Sequence, residues 1–207
     1  MGYKPEDFFV GVVDFFAVLL PGALLSFVMM DFATRNVFGK VLPHVEGTQA
    51  WVVFAFSSYL LGHFVFLAGS YVDLIYDPLR KVFKPQDRTY LRARELKEKC
   101  LGDSVKEPLM NTFQWSKTTI QLKCPAALAE IRRYEADSKF FRSLIVVLVI
   151  TIFVLISKGA WNAGLLCLLL MLASFGRYAE QRWKAAQRAY EYLIAIGRLG
   201  GSSERSS

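Results

Sequence analysis

Six side chains lie in or beside long apolar stretches of the sequence and are of the types that carry proton or metal chemistry. The first is Asp14, and the others follow one another along a second apolar stretch: Tyr59, His63, Ser70, Asp73 and Asp77. At 100° of rotation per residue, those five fall within about 80° of one another around a helix. The spacing therefore predicts one polar stripe along a helix that is otherwise rich in Val, Phe, Leu and Ala.

Asp14 and His63 are, apart from tyrosines, the ionisable groups that lie deepest in these apolar stretches. An ionised side chain in hydrocarbon is costly unless it is paired or near water. We therefore predict that Asp14 and His63 face each other, within reach of a hydrogen bond or of a shared water. Such a pair either fixes the register of two helices or takes part in function, and the sequence leaves both alternatives open.

Asp73 and Asp77 lie four residues apart, so their carboxylates share one face of a helix. Two carboxylates are the start of a divalent-cation site, but the sequence offers no cluster that would supply a third ligand. The simpler interpretation is that they balance the basic residues that follow, Arg80, Lys81 and Lys84. The sequence predicts no cofactor and no metal ion.

The elements that position these residues are predicted to be membrane-spanning helices, because about 20 mostly apolar residues in a helix cross a bilayer. Four stretches qualify, at about 8–30, 50–72, 140–157 and 160–176. The chain is 54% hydrophobic, which is high for a soluble domain of 207 residues. We expect an all-α membrane protein with four transmembrane helices and a small helical cytoplasmic cap.

Positive charge sets the expected orientation, since Lys and Arg accumulate on the cytoplasmic side of membrane proteins. Of the 25 Lys and Arg residues, only Arg35, Lys40 and Lys158 fall in the two connections assigned to the outer face. Both termini and the segment 78–139 are therefore predicted to be cytoplasmic, in a multi-pass protein of the cell inner (plasma) membrane. The phospholipid bilayer, and not nucleic acid, is then the simpler partner for a net charge of +7.

The segment 78–139 is predicted to form the helices of the cap. Asp87 suits the N-cap of a helix that ends at Leu101, and Pro108 suits the first turn of the next helix. A third helix, from Ala126, meets no breaker before the third span. Because this segment alone is too short to bury a sufficient core, we expect it to pack on a neighbouring hairpin, a second protomer or the membrane surface.

The chain is thus expected to divide into a transmembrane hairpin, 1–77, the cytoplasmic segment, 78–139, and a second transmembrane hairpin, 140–197. In the second hairpin, the fourth span is predicted to continue past Arg177 as a cytoplasmic helix, since apolar residues recur there at three- and four-residue steps. The remaining residues, 198–207, include a Gly- and Ser-rich run whose composition predicts disorder.

Motifs of catalysis are absent from the sequence. It has no glycine-rich phosphate loop, no nucleophile motif and no internal repeat. Cys100, Cys124 and Cys167 lack the spacing of metal ligands. Charged and polar residues before the third span are interpreted as a solvated face: Tyr134, Glu135, Asp137 and Arg142. The sequence therefore favours a protein that is not an enzyme.

Two classes of function fit this layout, which resembles that of small bacterial membrane proteins acting as effectors or partners of a soluble sensor. The first is a homo-oligomeric effector or scaffold without a catalytic centre, which receives a signal or a soluble protein partner through its cytoplasmic helices and could form a pore. The alternative uses the polar stripe, either in a membrane-interface enzyme acting on lipid or a lipid-linked substrate, or as a path for protons or ions. The sequence contains no complete set of catalytic residues, which favours the effector or scaffold.

The predicted topology can be tested with single introduced cysteines and a membrane-impermeant thiol reagent. In intact cells the reagent should label the His44→Cys and Gly159→Cys variants, because both positions lie on the predicted outer face. It should label Ser104→Cys only after the membrane is permeabilised. Labelling of Ser104→Cys in sealed cells would contradict the topology.

Overall fold

The computed structural model of the chain describes residues 5–33, 47–83, 88–101 and 110–203. These residues form six α-helices and no strand, which confirms an all-α fold for this part of the chain. The helices are α1 (Pro5–Ala33), α2 (Thr48–Phe83), α3 (Arg88–Leu101), α4 (Thr112–Lys123), α5 (Pro125–Ser157) and α6 (Trp161–Ser203).

Three of these helices are long and apolar enough to cross a membrane, over Thr48–Arg80, Pro125–Ser157 and Trp161–Arg198. Helix α1 contributes a shorter apolar stretch, Phe15–Met30, among its described side chains. The expectation of a membrane protein is therefore supported by three helices. A fourth crossing, by α1, stays a prediction.

Two helices were predicted to continue from the apolar stretches into the cytoplasmic segments, and both predictions are confirmed. Helix α5 runs from Pro125 into the third apolar stretch without interruption, and α6 runs through Arg177 and well beyond it. Proline suits the first turn of α5 because its missing N–H would have no partner inside the helix. Helix α6 extends to Ser203, past residue 198 where composition predicts that order ends.

The ends of α3 and α4 can be compared with the helix ends that the sequence predicts. Helix α3 begins at Arg88 and ends at Leu101, as predicted. Asp87 lies outside the described residues, so its role as N-cap stays a prediction. Helix α4 begins at Thr112, because the Asn111 side chain caps it by accepting a hydrogen bond from the Gln114 N–H at 2.8 Å. The predicted start near Pro108 is therefore too early for α4, and Pro108 itself lies outside the described residues.

The chain divides into two compact units, and α1, α2, α5 and α6 each supply residues to both. Unit 1 draws on Met1–Val10, Asp77–Glu135 and Glu180–Ser207. Unit 2 draws on Gly11–Tyr76 and Ala136–Ala179.

Unit 1 has a hydrophobic core of its own, built where one face of α6 meets α3, α4 and α5. Its buried side chains form two clusters, Ala93 with Ala186, Tyr190 and Leu193, and Ile120 with Leu128, Ile131 and Ala189. The apolar recurrence predicted for α6 is thus its packed face. The cap segment gains the core that it lacks alone by packing on α6, one of the alternatives that the sequence left open.

Unit 2 brings the backbones of α1 and α2 into direct contact. A Cβ atom added to Gly22 would lie 1.9 Å from the Ser58 carbonyl oxygen, and one added to Gly62 would lie 2.2 Å from that of Val18. The Ser58 hydroxyl, fully buried, donates a hydrogen bond to the Ser26 hydroxyl at 3.3 Å. Small residues spaced four apart allow such an approach between membrane helices, and here they fix α1 against α2.

The remaining core of unit 2 lies between α1, α2 and α5. Leu25, Val65 and Val147 form a buried cluster with one residue from each of these helices. A second cluster joins α2, α5 and α6 through Val72, Tyr76, Ile145 and Tyr178. The second cluster lies beside the polar residues described next.

Candidate functional site

The polar stripe of α2 does not form one continuous surface. Asp73 is half-buried within unit 2, whereas Tyr59, His63 and Ser70 are exposed. Asp77, also exposed, belongs to unit 1. The structure therefore separates the candidate residues into one inward carboxylate and an outward row.

Asp73 is the centre of a polar cluster that joins three helices. Arg142 of α5 donates from Nη1 to Asp73 Oδ2 at 2.9 Å, and the Tyr178 hydroxyl of α6 donates to Asp73 Oδ1. The side chains of Arg142 and Asp73 are only 11% and 24% exposed. Both carboxylate oxygens of Asp73 thus accept hydrogen bonds, and hydrogen bonds to an ionised group are among the strongest polar contacts in proteins.

The Arg142 side chain is largely shielded from solvent, so its interpretation as part of a solvated face is wrong. Its guanidinium lies over the Phe66 ring, 4.9 Å from the ring centroid. A Cβ atom at Gly69 would lie 3.3 Å from Arg142 Cγ and Nε, so glycine makes room for the side chain. The Nε atom is buried and has no hydrogen-bond partner among the described residues. The aromatic face therefore provides a second favourable environment for the cation.

Aromatic side chains enclose the cluster. Tyr76 and Tyr178 meet edge to face with ring centroids 5.3 Å apart, and the Tyr76 hydroxyl donates to the Ala179 carbonyl oxygen at 3.4 Å. The Phe175 ring lies 6.1 Å from that of Tyr178. These rings shield the ion pair in part from water, and a lower local dielectric strengthens its hydrogen bonds.

The outward row contains an aromatic contact chain. The His63 ring meets the Tyr59 ring edge to face at 4.6 Å, and Tyr59 stacks on Phe15 of α1 at 5.8 Å. The Ser70 hydroxyl donates to the Leu67 carbonyl oxygen of its own helix at 2.6 Å. The Asp14 backbone belongs to α1, but its side chain lies outside the described ones, so the Asp14–His63 pair stays a prediction.

Asp77 has a different partner from the basic residues that follow it in sequence. Its carboxylate lies 3.9 Å from the Arg182 guanidinium of α6, and both side chains are exposed by at least a third. Surface pairs of this length contribute little to stability. Asp77 is therefore not joined to Asp73 in one site, although the two are four residues apart.

Unit 1 holds a second polar cluster along α5 and α6. Glu130 accepts a hydrogen bond from the Tyr192 hydroxyl and pairs with Arg188 at 3.4 Å. Glu135 accepts from the Lys117 ammonium of α4 at 2.7 Å and is 23% exposed. An open cavity of about 290 Å³ lies alongside, lined by Tyr134, Trp183, Lys184, Gln187, Arg188 and Glu191.

The hydrogen bonds that Asp73 accepts limit the chemistry that its cluster can carry out. A general base takes a proton from a group within hydrogen-bond reach, whereas each oxygen of Asp73 already accepts a hydrogen bond from another helix. Among the described residues, no three His, Cys, Asp or Glu side chains are grouped to hold a metal ion. The cluster is therefore built to hold α2, α5 and α6 together.

Comparison of the chain with protein-family models, with curated proteins and with solved structures found no match. The case for a function therefore rests on the geometry.

Removing the Asp73 carboxylate should destabilise the protein more than any comparable change on the outward row. Asp73→Ala leaves the buried Arg142 cation unpaired, which we expect to cost about 3–5 kcal/mol of unfolding free energy. Ser70→Ala, three residues away on the same helix, removes a hydroxyl that bonds only its own helix and should stay within about 0.5 kcal/mol. Denaturant unfolding of the detergent-solubilised chain measures both. Equal losses in the two variants would show that the Asp73 contacts do not support the fold.

Proposed function

We propose that the protein is a homo-oligomeric, four-span protein of the cell inner (plasma) membrane that acts as an effector or scaffold without a catalytic centre. Its termini and unit 1 lie on the cytoplasmic side, and unit 1 receives a soluble protein partner or signal. The membrane part then responds as an assembly of several copies, with a pore as one form of that response.

The observation that carries this proposal is the pairing of Asp73 with side chains of two other helices. The sequence offers few polar residues in its apolar stretches, and one of the candidate carboxylates, Asp73, accepts hydrogen bonds from Arg142 and Tyr178. A buried ion pair of this kind fixes the register of the helices that it joins. These contacts support a structural role for Asp73 over a catalytic role.

The surface of unit 2 supports a membrane environment that includes α1. Helix α1 contacts α2 through Gly22, while Leu20, Phe27 and Met30 are 50%, 71% and 58% exposed. Exposed apolar side chains on this scale are unfavourable in water and favourable in a bilayer. We infer that α1 crosses beside α2 and supplies the fourth span.

The surface of unit 1 supports the binding of a soluble partner. Its open cavity combines Trp183 and Tyr134 with Arg188, and these residue types are enriched where proteins bind one another. On α4, Leu122 is 80% exposed, which is unusual for a leucine in a unit with its own packed core. A mixed aromatic, charged and apolar surface suits a reversible protein contact.

The mass of the detergent-extracted protein tests the proposal. Light scattering that separates protein from detergent should give a whole-number multiple of 23.5 kDa, the mass of one chain, greater than one. The mass should fall toward that of one chain only on dilution, because association depends on the protomer concentration. A single chain mass at every concentration would contradict the proposed oligomer.

A further inference from the structure

The helical hairpin that α5 and α6 form in unit 2 has short uncharged stretches. Its turn holds Lys158, and the charged residues that bound the stretches are Arg142 on α5 and Arg177 on α6. The uncharged helical stretches, 143–157 and 161–176, hold fifteen and sixteen residues. At the rise of an α-helix they are about 22 Å and about 24 Å long, whereas the hydrocarbon core of a bilayer is about 30 Å thick.

Helix α2 is much longer in the same unit. Its residues 48–72 are twenty-five in number and include no Asp, Glu, Lys or Arg. They form a stretch about 38 Å long. This helix packs on the hairpin, since Val65 of α2 and Val147 of α5 share a buried cluster. Unit 2 therefore presents one long apolar helix and one short apolar hairpin to the same bilayer.

The ends of α2 and α5 can be compared from a level that the two helices share. A Cβ atom added to Gly69 would lie 3.6 Å from the Arg142 carbonyl oxygen, so these two residues are neighbours. From there α2 continues for twenty-one residues back to Thr48, and α5 continues for fifteen residues to Ser157. The difference of six residues places the hairpin turn about 9 Å short of the end of α2.

The exposure of α2 near Thr48 agrees with this offset. None of its residues 48–57 is buried. Trp51, Val52 and Phe56 are exposed by 73%, 64% and 64%. These turns of α2 extend past the level at which the hairpin could cover them.

Two tryptophans show the same offset. Trp51 lies twenty-two residues before Asp73, and Trp161 lies seventeen residues before Tyr178, which donates a hydrogen bond to Asp73. Since both counts start from one contact, the difference of five residues separates the tryptophans by about 8 Å in depth. Tryptophan in a membrane helix favours the level of the lipid headgroups. The two helices thus indicate two different heights for one surface of the bilayer.

Charged residues at both ends prevent the hairpin from sinking into hydrocarbon. Lys158 at the turn and Arg177 at the other end of the α6 stretch are both exposed. A charged side chain within hydrocarbon is costly, so each of them favours the headgroup level. A helix that is shorter than the hydrocarbon core and is held at both ends is accommodated by local thinning of the bilayer.

The exposed side of α6 has the composition of a surface for lipid chains. Its leucines Leu165, Leu166, Leu169 and Leu172 are exposed by 58%, 59%, 57% and 56%. Contacts between membrane helices are instead enriched in small and polar side chains. The composition therefore favours lipid at this face, and the length of the stretch requires that lipid to adjust.

We propose that unit 2 thins the bilayer beside the α5–α6 hairpin. The expected thinning is about 6 Å, the difference between the hydrocarbon core and the α6 stretch. A thinner core lowers the cost of moving a charged group or a lipid headgroup across it. The inference rests on the proposed membrane function and names a response that needs no pore, a locally weakened bilayer.

Fluorescent probes at both ends of the hairpin test the thinning directly. An environment-sensitive fluorophore is attached to Ser157→Cys, at the turn, or to Gly176→Cys, at the other end, where a Cβ atom would meet nothing within 4 Å. Phe153→Cys, one turn before Ser157 and exposed by 71%, is the matched position within the apolar stretch. The parent chain has Ser in place of its natural cysteines and is placed in phosphatidylcholine vesicles of ordinary thickness.

Both end probes should report a water-like environment in the same vesicles, because thinning brings headgroups to both ends of the stretch. The probe at Phe153→Cys should report an apolar environment. If either end probe emits at the short wavelength of Phe153→Cys, that end lies within hydrocarbon, and the inference is overturned.

Transfer of lipid between the two leaflets tests the consequence. The natural chain should raise the transfer rate of a phosphatidylcholine with a fluorescent headgroup above the rate in protein-free vesicles. Lys158→Arg should retain this increase, since the turn stays charged, whereas Lys158→Leu lets the turn sink and should lose most of it. Gln49→Leu, an exposed position on the longer helix, is the control and should retain it. Equal rates for Lys158→Leu and the natural chain would overturn the inference.

The two proposals fail in different experiments. If the extracted protein has the mass of one chain and both end probes are water-like, the proposed oligomer is wrong and the thinning stands. If the mass is a multiple of the chain mass and an end probe is apolar, the oligomer stands and the thinning is wrong.

Discussion

Unit 2 depends on the Asp73 carboxylate, which accepts two hydrogen bonds. Asp73 holds Arg142 of α5 and Tyr178 of α6, so three long helices meet at a single polar point. Apolar contacts between helices tolerate sliding and rotation, since many arrangements bury similar areas. A buried ion pair does not tolerate them, because a small shift leaves a charge without a partner in a low-dielectric environment.

The rotation of α2 follows from that contact. With Asp73 turned toward α5 and α6, the face that carries Gly62, Val65 and Val72 is buried. The opposite face, with His63 and Ser70, is directed away from unit 2. The glycines complete this arrangement, since Gly69 admits the Arg142 side chain and Gly62 admits the α1 backbone. The exposed polar row is thus a consequence of how the inward carboxylate is bound.

Much of the helix framework could be predicted because local chemistry decides it. Pro125 opens α5, and no breaker interrupts α5 or α6, so their lengths follow from the sequence. The close approach of α1 and α2 also has a local cause, because small residues permit it, here Gly22, Ser26, Ser58 and Gly62. The start of α4 was placed too early because the Asn111 cap competes with the nearby proline.

Only part of the polar cluster around Asp73 could be predicted from the sequence. Asp73 was identified as a candidate, but Arg142 was assigned to a solvated face and Tyr178 was not identified at all. All three residues lie at ends of apolar stretches, so the sequence indicates the position of each along its helix. Rotation about each helix axis was not, because packing between helices sets it. For the same reason the stripe from Tyr59 to Asp77 appeared continuous, although the structure separates its inward and outward members.

A double-mutant cycle between Asp73 and Arg142 tests the central claim most directly. The free energy of unfolding of the detergent-solubilised chain is measured for the natural protein, Asp73→Ala, Arg142→Ala and the double variant. If the pair holds the helices in register, the double variant should lose much less than the two single losses added together, with a coupling of about 1–3 kcal/mol. Losses that add to within about 0.5 kcal/mol would show that the two side chains act independently, and would contradict the account.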